Sequence, residues 1–265
     1  MNHNIGTVIL ATTDDIQFLH EIIKQSLIFS SQIIISFGSH FYNNEPENNI
    51  IINDLIKQYS LYDNIIIIRY NIPNDYIKNT NVLLSNYWHC HGRWCAIQQL
   101  KDTIEYVLLL DADEIPEGKQ FLNWLNDNEY KNFDCMKLAN YWYFREPIYR
   151  AKNIIEDSIV FIKKTHADNI SLTMHTHERT ATYDLCPGNK KRNILINNCP
   201  IFHHFSWVRT HKQMLRKVTS WGHRNDKDYI SLVNEEFLQK FRGYDNIFRY
   251  TYDIVPNLFN ITLTC

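Results

Sequence analysis

Tyr106-Val107-Leu108-Leu109-Leu110-Asp111-Ala112-Asp113-Glu114-Ile115-Pro116 is the stretch on which the reading of this chain turns. Tyr106–Leu110 is apolar throughout, without the alternation of a half-exposed strand, which predicts a short strand covered on both faces. It ends abruptly in two carboxylates two residues apart. Upstream, the chain repeats one rhythm. Ile5–Ala11 reads as a buried strand, and Thr12-Thr13-Asp14-Asp15 as an N-cap cluster. Ile16, Leu19, Ile22, Ile23, Ser26 and Leu27 then recur at helical spacing. Gln32–Phe37 reads as a second strand, Ile50–Tyr59 as a helix, Asn64–Tyr70 as a third strand and Asn86–Glu105 as a longer helix. Strands and helices alternating in this way predict βαβ units, a mostly parallel sheet and helices on both faces. In such sheets ligands bind beyond the carboxyl ends of the strands, so the ends after Ala11, Phe37, Tyr70 and Leu110 should face one site.

After about residue 130 the pattern changes. Asp134–Tyr143 and Ser158–Lys163 read as strands, His166–Asn198 as loop-rich, and Thr210–His223 and Asp228–Arg242 as helices. No repeat or Ser/Gly linker divides the chain, which predicts one domain over 1–265: a nucleotide-binding-type front half, 1–130, and an elaborated back half, 131–265.

Composition narrows the function. The chain is 45% hydrophobic with only seven Gly and seven Pro among 265 residues, which excludes disordered and collagen-like classes. Lys and Arg total 27 against 29 Asp and Glu, so the chain lacks the positive excess needed to bind nucleic acid or an anionic membrane. Six Cys without CxxC pairing read as free thiols in a reducing compartment. No apolar stretch approaches the roughly 18 residues of a membrane span, and the N-terminus has no basic region or cleavage site. A cytoplasmic protein is expected.

Two carboxylates at a strand end suit Mg²⁺ or Mn²⁺, hard ions that share oxygen sites with substrate phosphates. The competing reading is an acidic turn capping a helix that starts near Pro116-Glu117.

Asp111-Ala112-Asp113-Glu114-Ile115-Pro116 after an apolar strand resembles the DxD motif of GT-A-type glycosyltransferases. Arg93-Trp94-Cys95-Ala96 resembles the Arg-x-x-Ala helix of those enzymes. His203-His204-Phe205-Ser206-Trp207-Val208-Arg209-Thr210, continuing through Met214-Leu215-Arg216-Lys217-Val218 to Ser220-Trp221-Gly222-His223, is similar to the C-terminal signature of a group related to the family-2 class. The matching blocks span roughly residues 5–37, 86–118 and 200–240. The resemblance implies a GT-A, Rossmann-like fold and metal-dependent transfer of a hexose from a nucleoside-diphosphate sugar, by preference a UDP-sugar, to a glycan, protein or small-molecule acceptor. Asp113 would bind the ion directly. Asp111 would face the ribose or bind the ion through water. A histidine, His204 rather than His203, would complete the site; neighbours on a strand face opposite ways, so only one can point inward. Thr12 and Arg93 are candidates for the nucleotide, and Arg209 for the departing diphosphate, whose developing charge a cation stabilises. Arg216 and Lys217 read as a solvated helix face.

An inverting enzyme, the preferred stereochemistry by resemblance, needs a carboxylate to take the acceptor proton. Glu146, Glu156, Asp157, Glu178 and Asp184 are available. Glu178, in His175-Thr176-His177-Glu178-Arg179, is favoured; a surface salt bridge with Arg179 competes. His89, Cys90, His91 and Cys95 suggest zinc but lack a second ligand pair at standard spacing. Tyr141-Trp142-Tyr143-Phe144 offers aromatic faces to a sugar or to the core. Other readings of the acidic pair are a nucleotidyltransferase, a nucleotide-sugar phosphohydrolase and a non-catalytic binding protein. Asp113 is expected to face solvent, so that Asp113→Ala would cost little stability.

Overall fold

The computed structural model describes residues 3–71, 84–174, 178–221 and 224–263. In chain order its elements are β1 (Ile5–Ala11), α1 (Ile16–Ser26), β2 (Gln32–Gly38), α2 (Asn49–Tyr59), β3 (Ile65–Tyr70), α3 (Leu84–Ile97) and β4 (Tyr106–Asp111). There follow β5 (Glu114–Pro116), α4 (Gly118–Asn126), β6 (Cys135–Phe144), β7 (Tyr149–Lys163), α5 (Lys164–Ala167), α6 (Ile170–Thr173) and α7 (Glu178–Leu185). The last elements are β8 (Lys190–Ile194), β9 (Phe202–Trp207), α8 (His211–Ser220), α9 (Tyr229–Phe237) and β10 (Tyr252–Ile254).

All the strands belong to one sheet with the order β3-β2-β1-β4-β7-β6-β9-β5, β10 pairing with β7 and β8 with β6. β1, β2, β3 and β4 run parallel, as do β6 and β9, whereas β7 is antiparallel to β4 and β6. The sheet is therefore largely parallel, and the ends of β1 to β4, β6 and β9 share one edge. β5 begins after only Ala112 and Asp113, yet pairs with β9, three strands from β4. In a flat sheet β5 would lie four strand spacings from β4, about 19 Å, whereas the connection reaches only about 10 Å. The sheet must curl, and the curl carries Asp113 from the parallel half to the histidine strand.

The unbroken apolar runs are explained by burial on both faces. On β4, Leu108 and Leu110 pack in one cluster with Phe18 of α1, Ile52 of α2 and Phe121 of α4. Val107 and Leu109 point the other way, toward Ile97 of α3 and Tyr183 of α7. A third, aromatic cluster joins Phe144, Trp207, Met214, Val233, Phe241 and Tyr252 beneath the C-terminal helices.

Several elements differ from expectation. The helix expected over Asn86–Glu105 ends at Ile97, because the Gln32 side chain takes over the following backbone: Nε2 donates to Gln99 O and Oε1 accepts from Lys101 N. β7 begins at Tyr149 rather than Ser158; its first half is mostly half-buried or exposed, without regular alternation, and carries Asn153 at φ 58°, which hides the strand from pattern reading. The loop-rich stretch contains three short helices and edge strand β8. Pro116 closes β5, with α4 starting two residues later. Among the described residues no helix is long and apolar enough to cross a membrane, and the five described cysteines form no disulfide.

Candidate active site

Asp111 ends β4 beside Leu10 of β1, and its backbone amide donates to Glu114 Oε2 at 2.8 Å. Two guanidinium groups hold its carboxylate. Arg93 Nη2 donates to Oδ1 at 2.6 Å and Arg179 Nη2 to Oδ2 at 3.1 Å. Burial would raise this carboxyl, but Arg179 and then Arg93 outweigh it and hold it well below the usual carboxylate range. Arg93 gets there because Gly92 lets α3 lie against the sheet: a Cβ there would stand 2.6 Å from Leu10 Cδ1 and 2.5 Å from Tyr70 Cζ.

Asp113 is not solvent-facing. It is 5% exposed, and its Oδ2 accepts from Arg209 Nη2 at 2.9 Å while its Oδ1 faces His204 Nε2 at 3.6 Å. Burial raises its pKa, and His204, Lys217 and Arg209 draw it back only in part. Arg209 extends to Asp15 Oδ1 at 2.6 Å, tying the end of the first βα turn to the histidine strand. Thr12 is engaged in that turn, its hydroxyl donating to Asp15 Oδ2 at 2.7 Å.

The histidines of β9 face opposite ways, as strand geometry requires. His203 lies with Tyr143 Oη at 2.8 Å and Glu117 Oε1 at 3.1 Å, its pKa lowered by burial. His204 points toward Asp113, with Nδ1 2.9 Å from Glu156 Oε2. Burial opposes its charge, but the Glu156 hydrogen bond and Asp113 push the imidazole up to about 9. Asp113 Oδ1 and His204 Nε2 are donor types that divalent cations take, and a carboxylate on the far nitrogen is the usual support for a ligating histidine. Cis ligands of an octahedral ion stand about 3 Å apart, close to the 3.6 Å observed here. Among the described residues no third His, Cys, Asp or Glu joins them, so further ligands would be phosphate oxygens and water.

The surrounding charges are not a solvated rim. Arg216 Nη1 reaches Asp14 Oδ1 at 2.9 Å, and Lys217 Nζ turns inward to Ser206 Oγ at 2.7 Å, so the face of α8 expected to be solvated is docked on the site. Of the other base candidates, Asp157 pairs with Lys137 and Arg192, and Asp184 is exposed. Glu178 opens α7, but its side chain lies outside the described residues, as do residues 175–177. His91 and Cys95 lie 3.5 Å apart on α3, with no third ligand among the described residues.

Sequence reasoning passed over three members of this cluster: Glu114, Arg179 and Asp15. Glu114 is fully buried and receives Arg179 on both oxygens, at 2.5 and 2.7 Å. The signal for it was a charge that opens a short strand continuing in Ile115 and Pro116. Nearby, Glu47 is buried and accepts from Thr13 N and Oγ1. Burial pushes its carboxyl up to about 7 against the opposing Thr13 hydrogen bonds. A carboxyl with a raised folded pKa stabilises fully below its unfolded value of 4.5, and that stabilisation fades as pH rises through 7. Glu47→Gln should therefore gain stability relative to wild type between pH 5 and 8, by at most about 3 kcal/mol. Melting curves at the two pH values test this, and parallel pH profiles would contradict it.

No family model matches the chain, and no curated protein is similar to it. Solved structures resemble it loosely, among them the three that follow. The Mycobacterium tuberculosis rv0371c homolog from Mycobacterium sp. strain JC1 is 10% identical, with 76% of this chain and 90% of that chain covered at a TM-score of 0.43. The 4-diphosphocytidyl-2C-methyl-D-erythritol synthase from Anaerococcus prevotii is 10% identical, covering 89% and 96% at 0.44. Staphylococcus aureus TarS 1–349 is 8% identical, covering 88% and 72% at 0.47.

Proposed function

We propose that this protein is a GT-A-type glycosyltransferase, moving a hexose from a nucleoside-diphosphate sugar, by preference a UDP-sugar, to an acceptor hydroxyl with inversion. The observation that supports this best is the pairing of Asp113 with His204 at the strand edge where Asp111 meets two guanidinium groups. A Mg²⁺ or Mn²⁺ ion held by Asp113 and His204 would neutralise the diphosphate as it leaves.

The chain's own residues do the rest. Asp111, ionised and held by Arg93 and Arg179, accepts a hydrogen bond from a ribose hydroxyl. Arg209 keeps Asp113 in place and adds positive charge where the diphosphate develops negative charge. The acceptor oxygen attacks the anomeric carbon, the bond from that carbon to the diphosphate oxygen breaks, and its electron pair leaves with the nucleotide. The acceptor proton passes to a carboxylate, for which we assign Glu178.

Thermal shift and sugar-release assays with UDP-, GDP- and dTDP-sugars, with and without Mn²⁺, test the reading. One nucleotide at about 100 times its Kd should stabilise by about 2.7 kcal/mol, a rise of roughly 5–10 °C. No shift with any of them, with or without Mn²⁺, removes the donor assignment. Glu178→Gln should retain donor binding and lose transfer by on the order of 10²-fold or more. Undiminished turnover would show that another group takes the proton.

A further inference from the structure

Arg179 has no place in the sequence-based reading except as a competitor for Glu178, yet its guanidinium, 8% exposed, lies at the centre of the acidic strand end. Four of its contacts lie within the strand end. Two are a fork onto Glu114, at 2.5 and 2.7 Å; the others run to Leu109 O and Asp111 Oδ2, both at 3.1 Å. Neutralising Glu114 accounts for the fork alone. The contact to Asp111 is additional, and it makes Asp111 a carboxylate with a different arginine on each oxygen. A carboxylate held by planar cations on both oxygens cannot turn about its terminal torsion without breaking a charge-assisted bond. A quarter of the Asp111 side chain remains exposed, which is the part a ligand reaches.

We propose that Arg179 is a positioning residue for the nucleotide: through the fork on Glu114 it sets the orientation in which Asp111 receives a ribose hydroxyl of a nucleoside diphosphate. This rests on the donor reading above. The anchor also ties the first turn of α7 to the end of β4, so the backbone of Glu178, one residue earlier, is fixed by the same contacts.

The alternative is that Arg179 merely balances the buried Glu114. Arg179→Met alone does not separate the two, because it leaves Glu114 buried and unpaired. The double variant Glu114→Gln/Arg179→Met removes both charges. The introduced glutamine can still accept from Asp111 N and donate to Ser158 Oγ, the groups Glu114 now serves. The melting temperature of this variant should return to within a few degrees of wild type. Its UDP affinity, measured calorimetrically with Mn²⁺ well below the melting temperature, should stay at least tenfold weaker. Arg179→Lys, which keeps the charge and loses the fork, should also bind UDP several-fold more weakly. Either variant binding within twofold of wild type overturns the proposal. Wild-type protein that binds neither UDP nor the other nucleoside diphosphates overturns the donor reading and the proposal with it.

Discussion

Asp113→Asn should lose metal-dependent UDP binding and reduce transfer by on the order of 10²–10³-fold, about 3–4 kcal/mol of transition-state stabilisation. The substitution keeps shape and removes charge. The backbone around it is held independently, since Phe205 N donates to Asp113 O at 2.8 Å and Ala112 N to Leu10 O at 2.9 Å. Asparagine can still offer an oxygen to Arg209. Its amide replaces the anionic oxygen that stands 3.6 Å from His204 Nε2, so the pair loses the negative charge that draws a divalent cation in. Stability should change far less than binding, because burial already disfavours the ionised form of Asp113. Calorimetric titration of UDP with and without Mn²⁺ decides the matter. In wild type the metal should strengthen binding; in the variant the two isotherms should coincide. A metal effect of wild-type size in Asp113→Asn would mean that the ion sits elsewhere.

What the sequence made legible here is what short-range pattern encodes. The apolar run ending at Asp111 announces a strand covered on both faces, and alternation with amphipathic segments announces a parallel sheet; both follow from periodicity within a few residues. The opposite orientations of His203 and His204 follow from the same rule. The members of the site that were missed depend on distant partners. Arg179 meets Glu114 across 65 residues and Asp111 across 68, and Arg209 meets Asp15 across 194. No local pattern distinguishes a lysine that points to solvent from one that turns inward to Ser206, so the docked face of α8 looked solvated. The burial of Asp113 was hidden for the same reason: it arises from the curl that brings β9 against a two-residue connection.

Arg209→Met should have the largest effect on folding. The guanidinium is 6% exposed and stands between Asp15 and Asp113, themselves 8% and 5% exposed. It donates to both, at 2.6 and 2.9 Å, and its Nε donates to Ser206 O at 2.9 Å. Methionine fills much of the volume and leaves two buried carboxylates without their shared cation. Breaking a buried pair in this way costs about 3–5 kcal/mol, here roughly 10 °C or more in melting temperature. The pH dependence carries the sign of the cause. The Asp113 carboxyl is raised above 3.8 even with Arg209 present, and without Arg209 it rises further. A group with a raised folded pKa stabilises at low pH and loses that contribution as pH climbs through its folded value. The deficit of the variant should therefore be greater at pH 8 than at pH 5, and Mn²⁺ should recover part of it by supplying charge to the same carboxylates. Melting scans of wild type and variant at both pH values, with and without Mn²⁺, give the four comparisons needed. A variant melting within 2 °C of wild type at pH 8 would show that these carboxylates tolerate each other without Arg209, and that its place beside Asp113 serves the ligand and not the fold.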